Sequence, residues 1–65
     1  MKVRNSYDTL VDFDAALLNM DSEIKNRLQR EMPDASEQEF FNAYAKEHEL
    51  KWEEEWEMDV IHACG

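Results

Sequence analysis

The apolar positions of this chain fall into three helical stripes separated by two breaks. Leu10, Phe13, Leu17 and Met20 recur at three- and four-residue spacing, with Val11 and Leu18 widening the stripe. They predict a first helix over residues 7–18. Asn5 or Ser6 can cap it, and Asp8 suits the positive end of its dipole. The run Asn19-Met20-Asp21-Ser22 is rich in capping residues and predicts a turn. Ile24, Leu28 and Met32 form the second stripe, on a helix over about Ser22–Glu31 whose solvated side carries Lys25, Arg27 and Arg30. Pro33 ends it, because the residue before a proline is pushed out of helical geometry.

The third helix has the sharpest start. Ser36-Glu37-Gln38-Glu39 is a capping box, in which the Ser36 hydroxyl accepts from the Glu39 amide and the Glu39 carboxylate reaches back. Phe40, Phe41, Tyr44, Ala45, His48 and Trp52 follow at helical spacing and should supply most of the core, with Trp52 anchoring the helix. The pattern weakens after Leu50, and residues 53–61 admit two readings. Trp52, Trp56 and Val60 continue a helical stripe, whereas Trp56, Met58 and Val60 alternate with Glu55, Glu57 and Asp59 as a strand would. A strand there needs a partner in residues 2–5 or in another chain. The expected course is helix to about residue 56 and then a short extended tail. The predicted fold is all-α: one compact three-helix domain over residues 1–65, with a short extended or β C-terminal tail.

A chain of 65 residues buries only about 60% of its unfolded surface, so its stability margin is thin. Little room remains for a ligand pocket beside the core, and an enzyme is not expected. Residues 1–10 lack the apolar run of a signal peptide, and no stretch approaches the ~20 apolar residues of a membrane span. Cys64 is the one cysteine, so no disulfide framework is available. A soluble protein of the reducing cytoplasm is the expectation.

Candidate chemistry is sparse. His48-Glu49-Leu50-Lys51-Trp52 resembles the helical zinc pattern His-Glu-x-x-His, but Trp52 stands where the second ligand belongs. His48 is therefore read as a histidine at the edge of the core. His62 and Cys64 alone make too weak a ligand set near a chain end. No metal and no cofactor are expected.

Charge changes the picture more. Sixteen acidic and seven basic side chains give a net −9. Residues 1–33 are nearly balanced at −1, whereas residues 34–65 stand at −8. Glu37, Glu39, Glu47, Glu49, Glu53, Glu54, Glu55, Glu57 and Asp59 lie within 23 residues, interrupted only by Lys46 and Lys51. Like charges at Glu49/Glu53 and Glu53/Glu57 oppose helix formation. An ordinary solvated face is one reading of such a run. The other is a binding surface that attracts basic grooves while repelling nucleic acid and anionic membranes. The candidate partner-binding residues are Glu47, Glu53, Glu54, Glu55, Glu57 and Asp59. Trp56 joins them as the apolar anchor if it is a half-exposed hot spot ringed by Glu53, Glu55 and Glu57, and leaves them if it is core.

Residues 20–56, MDSEIKNRLQREMPDASEQEFFNAYAKEHELKWEEEW, carry Met-Asp-x-Glu-Ile, then Ser-x-x-Glu-Phe-x-x-Ala-Tyr, then His-Glu ahead of an aromatic residue. In this the chain is similar to small acidic accessory proteins of phages and other mobile elements, of the anti-CRISPR type. The resemblance implies an inhibitor of a bacterial CRISPR effector that occupies a DNA- or RNA-binding surface in the host cytoplasm. The partner would be a basic protein surface of an effector subunit, with no direct binding of nucleic acid. The rival reading is a small helical adaptor or antitoxin-like module, whose partner would contact the apolar face or the Lys25/Arg27/Arg30 patch. Monomer and homodimer both remain open.

Overall fold

The computed structural model describes residues 1–60, so the expectations for Ile61, His62 and Cys64 lie outside the described residues. The chain runs β1 (Lys2–Arg4), β2 (Leu10–Asp12), α1 (Phe13–Asn19), α2 (Ser22–Glu31), α3 (Glu37–Trp52) and a 3₁₀ turn at Glu57–Asp59. Three helices are present as expected, but the fold is not all-α. A two-stranded antiparallel sheet stands at the N-terminus, with Val3 opposite Val11. No strand occurs at the described part of the C-terminal segment, where the tail had been given an extended or β form.

The first helix was expected to begin at residue 7 and begins at Phe13 instead. Asn5 explains the shift. Its Oδ1 accepts from the backbone N–H groups of Tyr7 and Thr9, at 3.0 and 2.9 Å, which closes a turn rather than capping a helix. Asp8 occupies the left-handed region at φ 61°, a conformation that aspartate tolerates better than most residues. Lys2-Val3-Arg4 and Leu10-Val11-Asp12 then alternate about the buried valines. The helix cap falls to Asp12, whose carboxylate accepts from the Ala15 amide. Leu10 (56% exposed) and Leu18 (89%) consequently leave the predicted core stripe.

Helix α2 has its predicted bounds, with Asp21 as its cap. The capping box of α3 forms, with both reciprocal bonds made between Ser36 and Glu39. The core gathers Val3, Val11, Phe13, Ile24, Leu28, Phe40, Phe41 and Tyr44 around Trp56. Polar contacts tie the elements together at the rim. The Gln38 amide accepts from the Arg4 N–H and donates to the Arg4 carbonyl, both at 2.7 Å, and so occupies the outer edge of β1. The Tyr44 hydroxyl accepts from the Asp21 amide at 2.5 Å. Lys51 reaches Asp21 and Glu23, each at 3.2 Å. The Ile24 amide first, and Lys51 next, hold the Asp21 carboxyl below its ordinary value, while Asp21 and Glu23 push the Lys51 ammonium up.

Helix α3 stops at Trp52 because Glu53 takes the left-handed conformation, φ 57° and ψ 30°. That turn reverses the chain. Trp56 therefore does not continue the stripe four residues beyond Trp52; it folds back over Phe41 and Tyr44, with ring centroids 5.0 and 4.4 Å away. The expectation that Trp52 anchors the helix in the core is thereby overturned, and of the two roles open to Trp56 it takes the core one. Trp56 is 2% exposed and Trp52 is 50% exposed. His48 sits at the edge of the core beside Tyr44, Trp52 and Trp56, as expected.

Candidate functional site: an acidic face

The end of α3 and the segment after it present the acidic residues on an irregular, turned backbone. Glu49 lies on the exposed side of the last helical turns. Glu53 is the left-handed cap residue, and Glu54, Glu55 and Glu57 follow it, all exposed. Glu49, Leu50, Glu53, Glu54 and Glu55 line one open hollow of about 550 Å³.

The candidate residues divide by their partners. Glu47 pairs with Arg27 and joins α2 to α3, so it faces away from this group. Asp59 accepts from the Ser6 N–H and hydroxyl at 2.7–2.9 Å, and Glu55 accepts from the Tyr7 hydroxyl at 3.2 Å. The hydrogen bond and the negative charge of Glu55 push the Tyr7 phenol above its ordinary pKa. Trp56 is core, which removes it as an exposed anchor and makes it the internal support of the segment. Glu49, absent from the candidate set, belongs with Glu53. Their i, i+4 repulsion was the sequence signal for it.

Among the described residues, no ion pair involves Glu49, Glu53, Glu54, Glu55, Glu57 or Asp59. Of the five basic side chains in residues 1–33, Arg4 pairs with Asp8 and Arg27 with Glu31 and Glu47. Lys46, on α3, lines a smaller hollow with Glu49, Asp59 and Ser6. The helix dipole adds to the field. The C-terminal end of a helix carries about half a negative charge and favours cations, yet here it meets Glu49, Glu53 and Glu54. Lys51, the one basic residue of the last turn, is turned toward Asp21 and Glu23. Acids at this position oppose stability, and Glu53 adds backbone strain.

That strain gives a test. Glu53→Gly removes a left-handed non-glycine residue, which costs about 1–2 kcal/mol, against a smaller entropic cost for glycine. The variant should unfold at a higher temperature in a calorimetric melt, with up to about 1 kcal/mol of added stability. A lower melting temperature would contradict the strain at Glu53.

The basic patch on α2 is partly engaged within the fold. Arg27 is engaged, while Arg30 lines a hollow with Ile24, Arg27, Lys51 and Glu23. Among the described residues, no three His, Cys, Asp or Glu side chains gather to hold a metal ion, and no helix is long and apolar enough to cross a membrane.

Comparison with known proteins gives one positive result. A family model described as anti-CRISPR protein AcrIC5 matches residues 5–56, a span that includes the hairpin turn, all three helices and Glu53–Trp56. No curated protein and no solved structure matches the chain.

Proposed function

The chain belongs to the AcrIC5 family of anti-CRISPR proteins, and from that premise we propose that it inhibits a CRISPR–Cas effector by seating its acidic face on a basic, nucleic-acid-binding surface. Membership of the family implies a CRISPR–Cas component as partner; the acidic face supplies the physical means. One observation carries the reading. Glu49, Glu53 and Glu54 remain without ion-pair partners among the described residues and stand about the negative end of α3, where a fold selected for stability alone favours lysine or arginine. A groove built to hold a polyanion attracts such a surface, and low-dielectric walls focus that attraction. Duplex DNA offers one negative charge per ~1.7 Å of axis, so several closely spaced carboxylates are needed to compete.

The Tyr7–Glu55 and Ser6–Asp59 contacts favour a face fixed before it meets its partner. The adaptor reading, through the α2 basic patch, draws less support because Arg27 already pairs with Glu47. Salt titration separates the two. On the acidic-face reading the association rate with the effector falls about tenfold or more between 50 and 500 mM salt, since screening removes the steering. An association rate indifferent to salt would exclude it.

A further inference from the structure

We propose that the β-hairpin turn, through the hydroxyls of Ser6 and Tyr7, is the positioning element that holds segment 53–59 in its binding geometry. This rests on the acidic-face reading and adds residues that the carboxylates themselves do not name.

Beyond Trp52 the helical hydrogen-bond ladder no longer supports the chain, and the three-residue 3₁₀ turn is the only regular structure that follows among the described residues. Five carboxylates in residues 53–59 repel one another and favour an expanded segment. Trp56 and Met58 hold it from within. From outside, the hairpin turn grips it at successive points. Tyr7 binds the Glu55 carboxylate, the Asn5 amide donates to the Met58 carbonyl at 3.4 Å, and Ser6 binds both oxygens of Asp59.

The chemistry of these donors is the informative part. All are neutral. Lysine or arginine at positions 6 and 7 would fix the carboxylates as well, but would cancel the charge that the face presents. Hydroxyl and amide donors orient a carboxylate and leave its charge in place. Arg27 on Glu47 is the contrasting arrangement, in a pair that joins two helices. Preorganisation of this kind lowers the ordering cost of binding and appears in the dissociation rate, whereas net charge governs the association rate.

The test uses Ser6→Ala, Tyr7→Phe and the double variant, with Ser6→Thr as the conservative control, against an immobilised CRISPR–Cas effector that the unaltered chain inhibits. All keep the net charge of −9. The double variant should dissociate about three- to tenfold faster, from the loss of hydrogen bonds to charged groups, with an unchanged association rate and salt dependence. Ser6→Thr should restore the rate in the Tyr7-intact background. In the free protein, amide exchange should rise at residues 55–59 and stay constant in α2 and α3, which also verifies that the variants fold. Unchanged dissociation and exchange in folded variants would overturn the proposal. So would a loss confined to the association rate. If Glu53, Glu54 and Glu57 can be reversed to lysine without effect on binding, the acidic-face reading falls and this proposal falls with it; if only the hydroxyl variants are silent, the reading stands and the positioning role alone is lost.

Discussion

Replacing Trp56 with alanine should unfold most of the protein at 37 °C, whereas the same change at Trp52 should be nearly silent. Trp56 is 2% exposed and packs on Phe41 and Tyr44, the two most deeply buried large side chains. Truncating a buried tryptophan costs about 3–5 kcal/mol, and a domain of this size has a total stability of roughly 3–10 kcal/mol. The loss is therefore comparable to the whole margin. Trp52 is half-exposed beside Lys51 and His48, and its truncation should change stability by less than about 1 kcal/mol. Urea unfolding followed by circular dichroism distinguishes the two. Equal losses at the two positions would contradict the reversal of the chain at Glu53.

That reversal also marks where the sequence stops being readable. Local signals were sufficient for α2 and for the start of α3: Asp21, Pro33 and the Ser36/Glu39 box act within a few residues of themselves. The N-terminal hairpin was misread because Asn5 and Ser6 serve turns as well as they serve caps, and the strands that flank them have only three residues each. Leu10, Phe13 and Leu17 show a helical period, yet Leu10 points outward from β2. The end of α3 was misread for a different reason. Left-handed helix ends are usually signalled by glycine, and here the residue is Glu53. The acidic residues of the face were visible from charge alone. Their partners were not, because the Ser6–Asp59, Tyr7–Glu55 and Arg27–Glu47 contacts span 20 to 53 residues.

Reversal of Glu53, Glu54 and Glu57 to lysine should abolish inhibition while leaving the fold intact or firmer. All three side chains are exposed and none has an ion-pair partner among the described residues. The substitutions move the net charge from −9 to −3 and place cations near the negative end of α3, which favours the helix. On a basic partner each reversed carboxylate exchanges an attraction for a repulsion. Close charge pairs across interfaces couple by about 1.5 kcal/mol or more, roughly tenfold in affinity each, so the triple variant should bind at least about a hundredfold more weakly. Its thermal midpoint should equal or exceed that of the unaltered chain. Glu47→Gln provides the contrast. It should loosen the α2–α3 contact slightly and leave potency nearly unchanged, because Glu47 is held by Arg27.

The central claim is that the acidic face and nucleic acid contend for one surface. It is tested most directly by titrating the chain into an inhibitable effector already saturated with its target duplex, and following binding of both. Mutual exclusion is expected: bound duplex should block the chain, and prebound chain should block the duplex, with each apparent affinity falling in proportion to the concentration of the other. A ternary complex in which both bind at their separate affinities would contradict the account.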